Sequence, residues 1–107
     1  MQKNDALALI STYVGFAIKS GAAVFGMEKT AAERHPDVIL ADFALSDKSK
    51  KEIRYIADKR RAPLIFLDGL DGIVKRANVK IVSINNKNLA IQICEVSKGL
   101  SEVKEHE

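Results

Sequence analysis

Apolar residues Leu7, Ile10, Val14, Ala17 and Ile18 recur at helical spacing between about Asp5 and Ser20, and Gly21 ends the run. Gly21 suits the left-handed residue that closes a helix, and Gly26 suits the start of the next one. Ala22 to Phe25 between them leaves room only for a brief strand. Gly15, inside the first helix, costs roughly 1 kcal/mol against alanine, which predicts a close helix contact there. Met27 to Arg34 reads as a second helix stopped by His35-Pro36, since the residue before a proline avoids the helical region.

Val38-Ile39-Leu40-Ala41 is an unbroken apolar run of strand length, as expected for a strand covered on both faces. Ser46 is placed to cap a third helix, with Asp47 in its first turn and Ile53, Ile56 and Ala57 on one face, ending near Arg61 before Pro63. Leu64 to Leu67 is a second buried strand, and Asp68-Gly69 turns into a short helix over Leu70 to Arg76. Val79 to Ile84 predicts another strand. Asn85 or Asn86 caps a last helix with Leu89, Ala90, Ile93, Cys94 and Val96 inward, and Ser97 and Gly99 mark its end. Residues 1–100 then form one domain, and the polar tail 101–107 is expected to fray. Alternation of helix and strand predicts a sheet sandwiched between helices.

The chain has 107 residues, 47% of them hydrophobic, enough for one core and too few for two domains with a cleft between them. It has no run long and apolar enough for a bilayer and no secretory leader pattern, so the expectation is a soluble, cytoplasmic protein. The single Cys94 cannot staple the fold and sits in an apolar helical context, which favours a small buried side chain over a nucleophile. Net charge is only +3, yet residues 46–80 hold ten Lys/Arg against five Asp/Glu. A basic face follows, and a polyanion is the natural partner for it.

Gly15-Phe16-Ala17, Gly21 and Gly26, then the strand Val38 to Asp42, then Ala44-Leu45-Ser46 with its Lys-rich helix, resemble the L-seven-Ae/L-thirty-e superfamily of ribosomal and kink-turn RNA-binding proteins, in its short stand-alone bacterial form. The likeness covers roughly residues 7 to 93 and rests on order and spacing more than on any single motif. It implies an α/β fold, a three-layer α-β-α sandwich with a four-stranded mixed sheet, and RNA binding without catalysis, cofactor or metal. Structured RNA, ribosomal RNA included, is the implied partner, with ribosomal proteins as neighbours. By position, the implied RNA contacts are Gly26, Met27, Glu28, Lys29 and Ala32, with Arg76, Ala77, Asn78 and Val79 in the loop before the last strand. Ala32 stands where the family usually has Lys, and Glu28 where it often has Asn or Lys.

From the residues alone, amides at Gly26 to Lys29 offer oriented donors, Lys29 and Arg76 offer charge, and Val79 offers an apolar contact for an extruded base. Core packing is the plain expectation for Tyr13, Phe16, Phe43, Tyr55 and Phe66; Phe25, next to Gly26, is the exception to watch. Two other classes stay open. One is a protein-interaction module whose RNA grip has lapsed, consistent with Ala32 and Glu28. The other is a receiver-like phosphoacceptor at Asp42, which would need a magnesium-binding acidic pair that the opening helix does not supply; a strand-end carboxylate capping the next turn explains Asp42 more simply. His35 and His106 have no metal or nucleophile-base spacing, and Asp42, Asp68 and Asp71 read as turn and cap residues.

Overall fold

The computed structural model describes the backbone of residues 2–105 and the side chains of residues 2–100. The elements run α1 (Lys3–Lys19), β1 (Ala23–Phe25), α2 (Met27–Ala32), β2 (Val38–Asp42), α3 (Asp47–Arg60), β3 (Leu64–Leu67), α4 (Leu70–Val74), β4 (Ile81–Ile84) and α5 (Lys87–Glu105). The sheet order is β1-β4-β2-β3, with β2 and β3 parallel and both pairings of β4 antiparallel. This is a three-layer α-β-α sandwich around a four-stranded mixed sheet. Among the described residues no helix is long and apolar enough to cross a membrane.

Alternation along each strand sorts the side chains into two cores. Val38 and Leu40, Leu67, Val82 and Ile84 face α1, α4 and α5, where Ile10, Val14, Leu70 and Ile93 are sealed from solvent. Ile39 and Ala41 with Ile81 face the other way, onto Ile53, Ile56 and Ala57 of α3 and Met27 and Ala31 of α2. β2 lies between β4 and β3 with all five residues buried, which is why it reads as a continuous apolar run.

Helix ends follow local chemistry. Gly21 takes φ +75°, and Ala22 N–H reaches back to Ala17 O at 2.8 Å, a Schellman closure of α1. Ser46 Oγ accepts from Ser49 N–H at 3.1 Å, and Asn86 Oδ1 from Leu89 N–H at 2.9 Å, so Asn86 and not Asn85 caps α5. Several boundaries move. α2 stops at Ala32 rather than Arg34, and β4 begins at Ile81 rather than Val79. α4 stops at Val74 rather than Arg76 because Lys75 enters the left-handed region at φ 60°. α5 runs through Ser97 and Gly99 to Glu105, with Ser97 Oγ folded onto Cys94 O at 2.9 Å; residues 106 and 107 of the expected tail lie outside the described residues. Among the described residues nothing lies within 4 Å of where a Gly15 side chain would begin, so the close contact expected there is absent.

Candidate functional site

The register brings four chain segments to one end of the sheet. Phe25 pairs with Val82, Ala41 with Ile81 and Asp42 with Leu67, so β1, β2 and β3 finish where β4 begins. The β1–α2 turn and the α4–β4 loop, far apart in sequence, therefore meet at this pole. Gly26, at φ +92°, makes the sharp exit from β1 that a side chain would resist, and its N–H donates to Ile81 O at 2.9 Å. That amide is thus occupied, contrary to its expected role as a free donor. The remaining first-turn amides, of Met27, Glu28 and Lys29, have no partner within the helix, and no side chain caps this end.

Across the junction the Arg76 guanidinium carbon lies 4.5 Å from the Phe25 ring centroid. Two left-handed residues bracket the loop, Lys75 at φ 60° and Asn78 at φ 63°, and Arg76 N–H is held by Asp71 O at 3.0 Å. Glu28, Lys29, Ala32, Arg76, Ala77 and Asn78 are exposed. Val79 is half-buried against the α1-side core, and Met27 turns inward onto the α3-side core, so Met27 anchors the turn. Ala32 closes α2 about 7.5 Å from its start, at 1.5 Å per residue. Beside it, Arg60 Nη2 donates to Ala31 O at 3.2 Å, bringing a cation from α3 close to the end of α2.

Much of the charge of residues 46–80 is strung along α3. That helix leaves the pole at Asp47 and returns to the opposite end of the sheet, about 20 Å away for its 14 residues. Lys48 stays near the pole with Lys75, Arg76 and Lys80, whereas Lys59 and Arg61 lie at the far end. Lys50, Lys51 and Arg54 lie between these ends, so the basic residues of α3 are spaced along its length.

Asp42 is 3% exposed, and both its oxygens are engaged: Oδ1 accepts from Ala44 N–H at 2.8 Å and Oδ2 from Leu70 N–H at 2.9 Å, with Lys80 Nζ 3.8 Å from Oδ2. It caps two turns at once, the structural role expected for it. Among the described residues no group of three or more His, Cys, Asp or Glu is placed to hold a metal ion.

The aromatics depart most from expectation. Phe16 is 53% and Tyr55 67% exposed, so neither is a core residue. Phe66 stacks on Phe43 at 5.5 Å between centroids, with Arg54 5.2 Å from the Phe66 ring, covering the outer strand β3. Phe25 is half-buried, its ring shared between the core and Arg76. Sequence reasoning placed Arg76 and Phe25 in separate arguments, and only the antiparallel β1–β4 pairing couples them. Lys75 and Lys80 were not singled out; the basic run from Lys75 to Lys80 was their only signal.

No family model and no curated protein matches the chain. Among solved structures, it is similar to a protein with unknown function from Bacillus halodurans, at TM-score 0.76 and 9% identity, over 83% of this chain and 96% of that one. That likeness bears on the fold alone.

Proposed function

We propose that the chain is a non-catalytic RNA-binding protein that grips structured RNA, of kink-turn or ribosomal type, at the pole where the β1–α2 turn meets the α4–β4 loop. The observation that carries the reading is the apposition of those two segments through the Gly26–Ile81 hydrogen bond and the Arg76–Phe25 contact. The two segments that the family resemblance implicates are thereby neighbours in space. Exposed Lys29, Lys75 and Arg76 supply charge for phosphates, and Val79 an apolar edge beside them. Irregular RNA displays splayed bases and a bent backbone, which a compact cationic corner of this kind fits better than a regular duplex.

The test is a titration of kink-turn RNA against a plain duplex of equal length at two salt concentrations. The expected result is tighter binding of the kink-turn, weakening with salt as counterions compete. Equal affinity for both would remove the shape preference. Absence of binding even at low salt would favour the protein-interaction module, for which Glu28 and Ala32 are the pertinent residues. Lys29→Glu should weaken binding severalfold more than Lys59→Glu, because Lys59 lies at the far end of α3.

A further inference from the structure

We propose that α1 is the contact through which two copies of this chain pair, packed antiparallel about a two-fold axis at Thr12. The outward side of α1 carries the inference, and RNA binding does not enter it. Residues 6–18 hold no charged side chain, although Ala8, Thr12 and Phe16 are exposed, Phe16 to 53%. A helix side that meets water is ordinarily charged or polar, as α3 is with Lys48, Lys51, Glu52, Asp58 and Lys59. Thr12 turns its hydroxyl onto Ala8 O at 3.1 Å, which leaves its methyl group as the outer surface. Gly15 takes no positive φ, and among the described residues nothing lies within 4 Å of where its side chain would begin. Nothing inside the chain therefore calls for a glycine in mid-helix, whereas the close approach of a second helix does.

Charge fixes the partner and its direction. Asp5, Thr12 and Lys19 stand seven residues apart, and seven residues turn a helix through about 700°, close to two full turns, so the three share one stripe. An acid ends this stripe on one side and a base on the other. Both are exposed, and among the described residues neither has an ion-pair partner. A second copy laid antiparallel over Thr12 sets Asp5 of each against Lys19 of the other, about 10 Å from the axis on either side, and Phe16 against the small Ala8. A parallel pair would oppose like charges. The surface is thus complementary to itself, as a two-fold contact between copies requires. The 17 residues of α1 extend about 25 Å, and beside it α5 is uncharged over residues 88–94 with Ile91 49% exposed. Two such helices offer on the order of 500 Å² per copy, the size of a weak, reversible dimer.

The test is sedimentation velocity of the full chain from about 5 μM to about 1 mM, the range of weak dimers, with thermal melting of each variant as the check on folding. Wild type is expected to pass from monomer to dimer across that range. Thr12→Arg, an exposed change that sets two cations together on the axis, is expected to stay monomeric with no loss in thermal midpoint. Asp5→Lys or Lys19→Glu alone opposes like charges twice and should weaken pairing about tenfold or more, and the double variant Asp5→Lys/Lys19→Glu should recover most of that. A wild type that is still monomeric at about 1 mM overturns the proposal and leaves this side of α1 to a different protein. A dimer that survives Thr12→Arg, or a loss in Asp5→Lys that Lys19→Glu does not restore, overturns the antiparallel pairing at Thr12.

Discussion

The Asp42 carboxylate, at the end of β2, accepts the Leu70 amide at 2.9 Å from the first turn of α4, joining residues 28 positions apart at the pole of the sheet. Its second oxygen holds Ala44 N–H at 2.8 Å. One buried side chain thus fixes both the β2–α3 turn and the entry into α4, the helix whose end launches the Arg76 loop.

Replacing Asp42 should therefore hurt. Asp42→Ala leaves two amides without their acceptor and should cost about 3 kcal/mol in urea unfolding, the range for hydrogen bonds to a charged group and unpaired buried donors. Lys80→Ala should change stability by only about 0.5 kcal/mol, because its ammonium is 3.8 Å away and nearly half exposed. Equal losses would mean that the ion pair, and not the amide contacts, holds the pole.

Arg61 ends α3 in the left-handed region, at φ 56° and ψ 39°, with Ala62 N–H closing back onto Ala57 O at 2.9 Å. A side chain is strained there and glycine is not. Arg61→Gly should raise stability by about 0.5–1 kcal/mol, seen as a higher thermal midpoint. It should leave RNA affinity nearly unchanged, since Arg61 stands at the end of α3 away from the pole.

Thr30 of α2 and Ser83 of β4 are both fully enclosed, and among the described residues neither hydroxyl has a hydrogen-bond partner. An unpaired buried hydroxyl is destabilising relative to a methyl of the same shape. Thr30→Val should therefore stabilise the protein by about 1 kcal/mol, and Ser83→Ala should be neutral or mildly stabilising. A clear loss in chemical denaturation for both would show the hydroxyls to be hydrogen-bonded, for instance through a shared water.

Burial pushes the Cys94 thiol up, the neighbouring Glu95 adds to this, and Lys98 opposes it. The fold thus favours the protonated thiol. Its contribution to stability is fully present below the unfolded thiol range, near about pH 8.5, and is lost as pH rises through the higher folded value. Alkylation of the folded protein at pH 8 should be slower than that of the urea-unfolded chain. Faster labelling of the folded form would contradict a raised thiol.

Element order was legible because each signal is local. Leu7 to Ile18 has the helical period, Val38 to Ala41 and Leu64 to Leu67 are short unbroken apolar runs, and Gly21 and Ser46 act within one turn of where they stand. Boundaries failed where a residue behaved against its type. Lys75 took the conformation of a glycine and shortened α4, and Ser97 folded its hydroxyl onto Cys94 O instead of ending α5. Phe16 and Tyr55 misled because hydrophobic type does not say which side of a helix faces the core.

By itself the sequence determined the alternating elements, the buried character of β2 and the glycine at the exit from β1, all dictated by periodicity and backbone sterics over a few residues. Tertiary structure alone decided that β4 inserts between β1 and β2, because strand pairing joins residues without regard to their distance along the chain. From that insertion follows the Arg76–Phe25 contact, and from the return of the chain to the same end of the sheet the double cap at Asp42.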